Sequence, residues 1–221
     1  MKPVNLEFKF QKKISDKVFT ADGTLQFNSK SLIQVVMGAS GAGKSTLARW
    51  IVGLIPADEG FLQFGDQVWF DQLRSTNLRP QMRRVGFMAQ GNFLFPHLTV
   101  ADNVGYGLRT SDASIRKARV EQMLELTGIR DLANRKPVTL SGGEKRRVAL
   151  AQVLAIEPQL MILDEPFANL DLTGKKLLWE QTRVWISKVM VPTILITHDI
   201  MEAEAFTEQI HFYEKENTLR V

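Results

Sequence analysis

The stretch GASGAGKST, residues 38–46, carries the most legible chemistry in the chain. Its spacing, G-x-x-x-x-G-K-[S/T], is that of a loop whose backbone N–H groups turn inward around a phosphate chain. Gly38, Gly41 and Gly43, with Ala39, Ser40 and Ala42 between them, let the backbone come close to an anion. Lys44 offers a point charge to β- and γ-phosphates, Ser45 a hydroxyl to Mg2+, and Thr46 completes the loop.

Four more residues share a pattern, because each ends or directly follows a short apolar run. Asp164 and Glu165 close LMILD, Gln90 closes RVGFMAQ, and His198 follows TILIT. In an open α/β sheet, ligands bind beyond the carboxyl ends of the strands. Asp164 there can hold Mg2+ through water, and Glu165 can polarise an attacking water. Gln90 can touch both metal and water, and His198 can hydrogen-bond a γ-phosphate. A lone histidine or glutamine at a strand end is usually structural; these two gain weight from sharing an edge with Lys44 and Asp164. The segment LSGGE, residues 140–144, is different, since Ser141 has no neighbouring base to make it a nucleophile. Two glycines before a helix instead suit close approach to an anion at a helix N-terminus. Lys145, Arg146 and Arg147 follow, where their charge opposes the helix dipole but would attract a nucleotide.

Elements must place these residues. Alternation at Val4, Leu6, Phe8 and Phe10 predicts a strand, with further strand pieces near 17–20 and 24–27 separated by a turn at Ala21-Asp22-Gly23. EGFLQFGDQVWFD predicts a hairpin turning at Gly65-Asp66. The apolar runs at 32–37, 84–89, 160–164 and 193–197 alternate with helical patterns at 44–54, at 98–132 with a dip at Gly105–Gly107, after Gly143, and at 173–189. Within the second of these, ARVEQMLELTGI looks amphipathic. QIHFYEKENTLRV predicts a final hairpin. Short buried strands alternating with helices give an α/β fold with a mainly parallel sheet, an antiparallel β subdomain and a helical subdomain.

The chain has 221 residues, 44% hydrophobic and 24% charged, with a net charge of +4. That suits one globular domain and leaves nucleic acid weakly supported as a partner. There is no cysteine, which excludes disulfides and thiol–metal sites. VALAQVLAIEPQLMIL is broken by Gln152, Glu157 and Pro158, so it does not read as a membrane span.

In order, GASGAGKST, Gln90, LSGGE, LMILDEP, ANLD at 168–171 and ITHD at 196–199 resemble the nucleotide-binding subunit of an ATP-binding cassette (ABC) transporter. The resemblance spans nearly the whole chain, and LSGGx between a phosphate loop and a second acidic motif is specific to that family. It implies a P-loop ATPase whose two copies pack head to tail and sandwich two ATP molecules with Mg2+. It implies that Ser141, Gly142, Gly143 and Glu144 face the nucleotide held by the partner's Lys44. Asp171 would lie at the dimer contact, Gln90 would link to a membrane subunit, and Ser45, Gln90 and Asp164 would hold the metal. Residues 1–221 would form one domain: a core of 1–90 and 156–221, with a helical subdomain at 91–155.

GNFLFPHLTVADNVGYGL resembles the corresponding region of importers of oxyanions, iron, sugars or thiamine. Phe93, Leu94, Phe95 and Pro96 would then line a groove for a short helix of a membrane permease, helix-in-groove fashion. A solute-binding protein would complete the importer, with the chain peripheral on the cytoplasmic face of the inner or plasma membrane and nucleic acid absent. The nearest groups are molybdate-, thiamine- and iron-type importers. Where the family often stacks an aromatic on adenine, the region KKISDKVFT offers Phe19. Arg146 stands where glutamine is frequent, Gln152 where arginine is, and Asn169 where a small residue is common. A C-terminal regulatory domain is not expected beyond Val221. Soluble cassettes of DNA repair or ribosomes are the alternative; they normally bring coiled coils, zinc modules or a second cassette.

Overall fold

A computed structural model describes residues 2–14, 17–39, 41–91, 93–168, 170–207, 210–213 and 219–220. Ser40 and Asn169 lie outside the described residues. The chain runs β1 (Val4–Ile14), β2 (Lys17–Phe27), β3 (Ile33–Met37), α1 (Lys44–Val52), β4 (Glu59–Phe64), β5 (Gln67–Asp71), β6 (Thr76–Asn77) and β7 (Val85–Met88). It continues through α2 (Val100–Gly105), α3 (Ala113–Leu126), α4 (Gly142–Ala155), β8 (Leu160–Asp164), α5 (Leu172–Val189), β9 (Thr193–Ile196), α6 (Ile200–Phe206), β10 (Ile210–Tyr213) and β11 (Leu219–Arg220). This is an α/β fold with a mainly parallel sheet.

Two sheets form. The antiparallel one has the order β2-β1-β4-β5-β6; the other has the order β11-β10-β3-β9-β8-β7. In the second, β10, β3, β9, β8 and β7 run parallel, so their carboxyl ends fall on one edge. Strands β3 and β8 are buried at every position, as a sheet covered on both faces requires. Alternate residues then go to opposite cores. Val35, Met161, Leu163 and Leu195 join the side chains of α4 and α5 on one face. Val36, Ile162, Ile194 and Ile196 meet Leu47, Trp50 and Ile51 of α1, with Phe8, Leu62 and Trp69 of the antiparallel sheet beyond them. Each such aliphatic side chain contributes about 2 kcal/mol on burial. The strand ends that carry the polar residues are therefore anchored in two packed layers.

The turn expected at Ala21-Asp22-Gly23 does not form. The long neighbouring strand β1 pairs straight through it, Phe10 with Ala21, Lys9 with Asp22 and Phe8 with Gly23, and Ala21 is buried. The hairpin at Gly65-Asp66 and the closing hairpin of β10 and β11 are both present. The helical stretch over 98–132 breaks after Gly105, where the dip at Gly105–Gly107 falls, and resumes at Ala113, capped by the Asp112 carboxylate on the N–H groups of Ser114 and Ile115. Only Met123 and Leu124 of α3 are fully buried, which is a narrower apolar face than the sequence pattern suggests. Helices α2, α3 and α4 share one continuous apolar cluster with the parallel sheet. Among the described residues, no helix is long and apolar enough to cross a membrane.

Candidate nucleotide-binding and hydrolytic site

The phosphate loop joins β3 to α1. Gly41 and Gly43 hold φ values of 76° and 104°, and Gly43 is the N-cap of α1. Side chains rarely adopt that backbone, which explains glycine at both places. The free N–H groups of the first turn of α1 point toward the loop mouth. Lys44 is buried, and its Nζ donates to the carbonyl oxygens of Gly38 at 2.7 Å and Ala39 at 2.9 Å. Burial pulls its pKa down, and the charges of Glu165 and Asp164 push it back up. Ala42 is buried beneath the loop, and Ser45 and Thr46 follow in the first turn of α1.

Strand β8 brings Asp164 to the same edge, buried and hydrogen-bonded by the Ser45 side chain. Desolvation raises the Asp164 pKa; the Ser45 bond opposes it, Glu165 adds to it, and Arg146 and Lys44 oppose it. A hydroxyl and a carboxylate beside a phosphate loop form a hard-oxygen donor set. Among the described residues no cluster of three or more His, Cys, Asp or Glu could cage a metal. That combination fits Mg2+, which keeps several waters and leans on substrate phosphates rather than an all-protein cage.

Glu165 follows with φ 51°, a left-handed backbone unusual for a non-glycine residue. Its N–H bonds the Ile196 carbonyl at 2.8 Å, the last rung between β8 and β9. One side-chain oxygen lies 2.8 Å from Nδ1 of His198, and the other accepts from the Gln90 amide at 3.3 Å. The carboxyl ends of β7, β8 and β9 thus converge on one carboxylate. Beside it a cleft of about 400 Å³ is lined by Gln90, Arg146, Glu165, Lys175, His198 and Glu202, among others.

The residues of LSGGE open α4. Ser141 is its N-cap; its hydroxyl accepts from the Glu144 N–H at 3.3 Å, and Glu144 returns a 2.7 Å bond from the Ser141 N–H. This capping box gives Glu144 a structural task, and those bonds hold its pKa low. The Ser141 hydroxyl also hydrogen-bonds the Glu144 carboxylate. Ser141 and Gly142 are exposed and Gly143 half-buried, on the outer surface of the chain. Asp171 caps α5, accepting from the Gly174 N–H at 2.9 Å.

One sequence expectation needs correction here. Arg146 does not offer its charge to an approaching nucleotide. It is buried, and its guanidinium bonds the carbonyls of Ala89 at 3.2 Å, Gln90 at 3.0 Å, Asp164 at 2.6 Å and also Glu165. Arg147 likewise turns inward, to the Thr127 carbonyl at the end of α3. Phe93 lines a groove with Leu54, Ile55, Phe87, Met88 and Val153, and Pro96 is exposed. Leu94 packs on the core; Phe95 is held to α2 by the Asn103 amide, and its ring lies 4.1 Å from that of Tyr106, tilted by 36°. Phe19 is half-buried against the antiparallel core. Sequence reasoning missed a network beyond His198, in which Lys175 bonds Asp199 at 2.5 Å and lies 3.7 Å from buried Glu202.

A glycine loop at the head of a helix, a hydroxyl–carboxylate pair and a polarised glutamate on one parallel-sheet edge define a P-loop nucleotide-binding cassette. Residues 22–168 match the ABC transporter family model. The chain is 38% identical over 199 residues to the probable sulfate/thiosulfate import ATP-binding protein CysA of Chlorella vulgaris, covering 89% of this chain and 81% of that one. It is 41% identical over 176 residues to the molybdate/tungstate import ATP-binding protein WtpC of Archaeoglobus fulgidus, covering 80% and 71%. It spans about half of longer relatives, such as the molybdenum import ATP-binding protein ModC of Haemophilus ducreyi, at 37% identity, 83% of this chain and 51% of that one. The dimeric ATP-binding cassette MJ0796 bound to ADP and Pi superposes with a TM-score of 0.79 at 25% identity, covering 99% of this chain and 97% of that one. The chain belongs to the ABC transporter family and carries its ATP-binding cassette.

Proposed function

We propose that the chain is the ATP-hydrolysing subunit of an importer, in which two cassettes close head to tail on ATP and drive a membrane permease. The observation that carries this is the meeting of Lys44, Ser45–Asp164, Glu165, Gln90 and His198 at one sheet edge, while the LSGGE cap stands apart on the surface. The import names of the relatives support the direction of transport, and the sulfate, thiosulfate, molybdate and tungstate in those names support an oxyanion as solute. The soluble repair or ribosomal reading has no such support.

In this reading residues 38–46 cradle the phosphates and Lys44 exchanges its two carbonyl partners for phosphate oxygens. Ser45, Asp164 and Gln90 hold Mg2+, which neutralises charge on the β- and γ-phosphates when bound. Glu165 accepts the proton of the attacking water. Each of its oxygens has two lone pairs, so the His198 and Gln90 contacts orient it without saturating it. In the tautomer donating from Nδ1, His198 keeps its other ring nitrogen for the water or, once protonated, for the γ-phosphate. Ser141 and the N–H groups around Gly142 and Gly143 meet the γ-phosphate of the partner's nucleotide, and Asp171 lies at the dimer contact. Residues 91–155 form the helical subdomain, and the Phe93 groove receives a helix of the permease. The chain sits on the cytoplasmic membrane face, with a solute-binding protein completing the importer and no nucleic acid involved.

The test is Glu165→Gln. Steady ATP hydrolysis should fall at least ~100-fold while ATP binding persists and an ATP-bound dimer accumulates on size-exclusion chromatography. Hydrolysis at the wild-type rate would sink the role of Glu165.

A further inference from the structure

Arg146 lies on the buried face of α4, in register with Ala149, Leu150 and Val153 at i+3, i+4 and i+7, all of them buried. An arginine on an apolar helix face is costly unless its donors are satisfied. Here they are spent on backbone. One nitrogen bridges Ala89 and Gln90 past the end of β7; the other bridges Asp164 and Glu165 at the end of β8. Its Nε has no hydrogen-bond partner. Burial lowers its pKa, with Asp164, Glu165 and Glu202 acting against that. The guanidinium is thus a charged staple between two strand ends, fixed to the helix whose N-cap is Ser141, five residues earlier.

The consequence reaches Glu165. Its left-handed backbone, at φ 51°, costs on the order of 1–2 kcal/mol and must be held from outside. Its N–H is tied to β9 and its carbonyl to Arg146. Gln90, which touches the Glu165 carboxylate, is held through its own carbonyl by the same guanidinium. Resting on the proposed role of Glu165, we propose that Arg146 is a positioning residue: it sets the conformation of Glu165 and Gln90 for attack on ATP and couples that conformation to the LSGGE end of α4. Movement of α4 as Ser141 engages the partner's nucleotide would then act on this chain's own carboxylate. A glutamine, frequent at this position in the family, has a single amide nitrogen and cannot bridge four carbonyls.

The test compares Arg146→Lys and Arg146→Gln with Arg119→Lys. Arg119 is a structural counterpart, binding the Leu154 and Ala155 carbonyls at the other end of α4 and Glu157, away from the site. For each variant, kcat and KM for ATP, affinity for a fluorescent ATP analogue, and the urea midpoint are measured on the purified full chain. Both Arg146 variants should lose about 30-fold or more in kcat, with KM and analogue affinity within about twofold of wild type. Arg119→Lys should lower the urea midpoint to a comparable extent and leave kcat unchanged. Lysine should retain more kcat than glutamine, because it keeps a charge and some of the bonds. Wild-type kcat in both Arg146 variants, a loss confined to KM, or equal kcat losses in the Arg119 and Arg146 variants would each overturn the proposal. Failure of both Arg146 variants to yield folded chain would overturn it as well, by making the residue a folding element. If Glu165→Gln hydrolyses at the wild-type rate, the underlying reading falls and this proposal with it. An inactive Glu165→Gln beside fully active Arg146 variants removes this proposal alone.

Discussion

Glu165 hangs between three strand ends, and almost everything around it is a polar group taken out of water. Lys44, Asp164 and Arg146 are all buried within reach of one another, so each charge is tolerated because the others are there. Glu202, which lines the same cleft as His198, is a further buried acid on α6. Burial pushes its carboxyl up to about 7; Lys175 opposes this and Asp199 adds to it. The folded value lies above the unfolded one, so folding favours the protonated form. Its contribution to stability is full below about 4.5 and is lost as pH rises through about 7. Glu202→Gln removes that loss. Between pH 5 and pH 8, the urea-derived stability of the variant should improve relative to wild type by on the order of 2 kcal/mol. Parallel stability–pH curves would show that Lys175 already compensates the carboxylate.

At the scale of elements, the site depends on where strands end, and the antiparallel sheet helps hold them by covering α1 and one face of the parallel sheet. Gly60 in β4 tests how tight that cover is. It sits opposite Phe10 at φ 133°, and an added Cβ would come within 1.9 Å of the Lys9 carbonyl oxygen. Gly60→Ala should cost about 3 kcal/mol by denaturant unfolding while ATP affinity of the folded fraction stays at the wild-type value. Unchanged stability would mean that β1 and β4 can part without cost. Much of this scaffold was legible. Short, mostly apolar runs gave β3, β8 and β9 within one residue, because a strand buried on both faces shows no alternation. The phosphate loop and the acids were legible for the same reason, as polar residues at abrupt ends of apolar runs. What escaped depends on partners distant in sequence. Ala21-Asp22-Gly23 looks like a turn until β1 pairs with it. Helix α6 is only seven residues and carries acids that its network with Lys175 explains. Arg146 left one readable trace, a charge on the apolar face of α4, but its acceptors are main-chain carbonyls that no side-chain pattern reports.

At the scale of the molecule, the proposed reading gives the chain two half-sites. The phosphate loop with its acids occupies one sheet edge, and the capped LSGGE turn stands on the surface with Ser141 and Gly142 exposed. In the proposed reading, the P-loop edge hydrolyses ATP in its own chain, and the LSGGE turn serves the nucleotide of a second copy. This predicts a specific form of complementation. Lys44→Ala and Ser141→Arg chains should each be inactive alone, since each dimer then lacks one half of both sites. Mixed in equal amounts, they form heterodimers in which one site has both defects and the other has none. The measurement is steady-state ATP hydrolysis of the 1:1 mixture against each parent. Activity should return to about a quarter of the wild-type rate if the sites fire independently. A mixture no more active than its parents would contradict a site built from two chains.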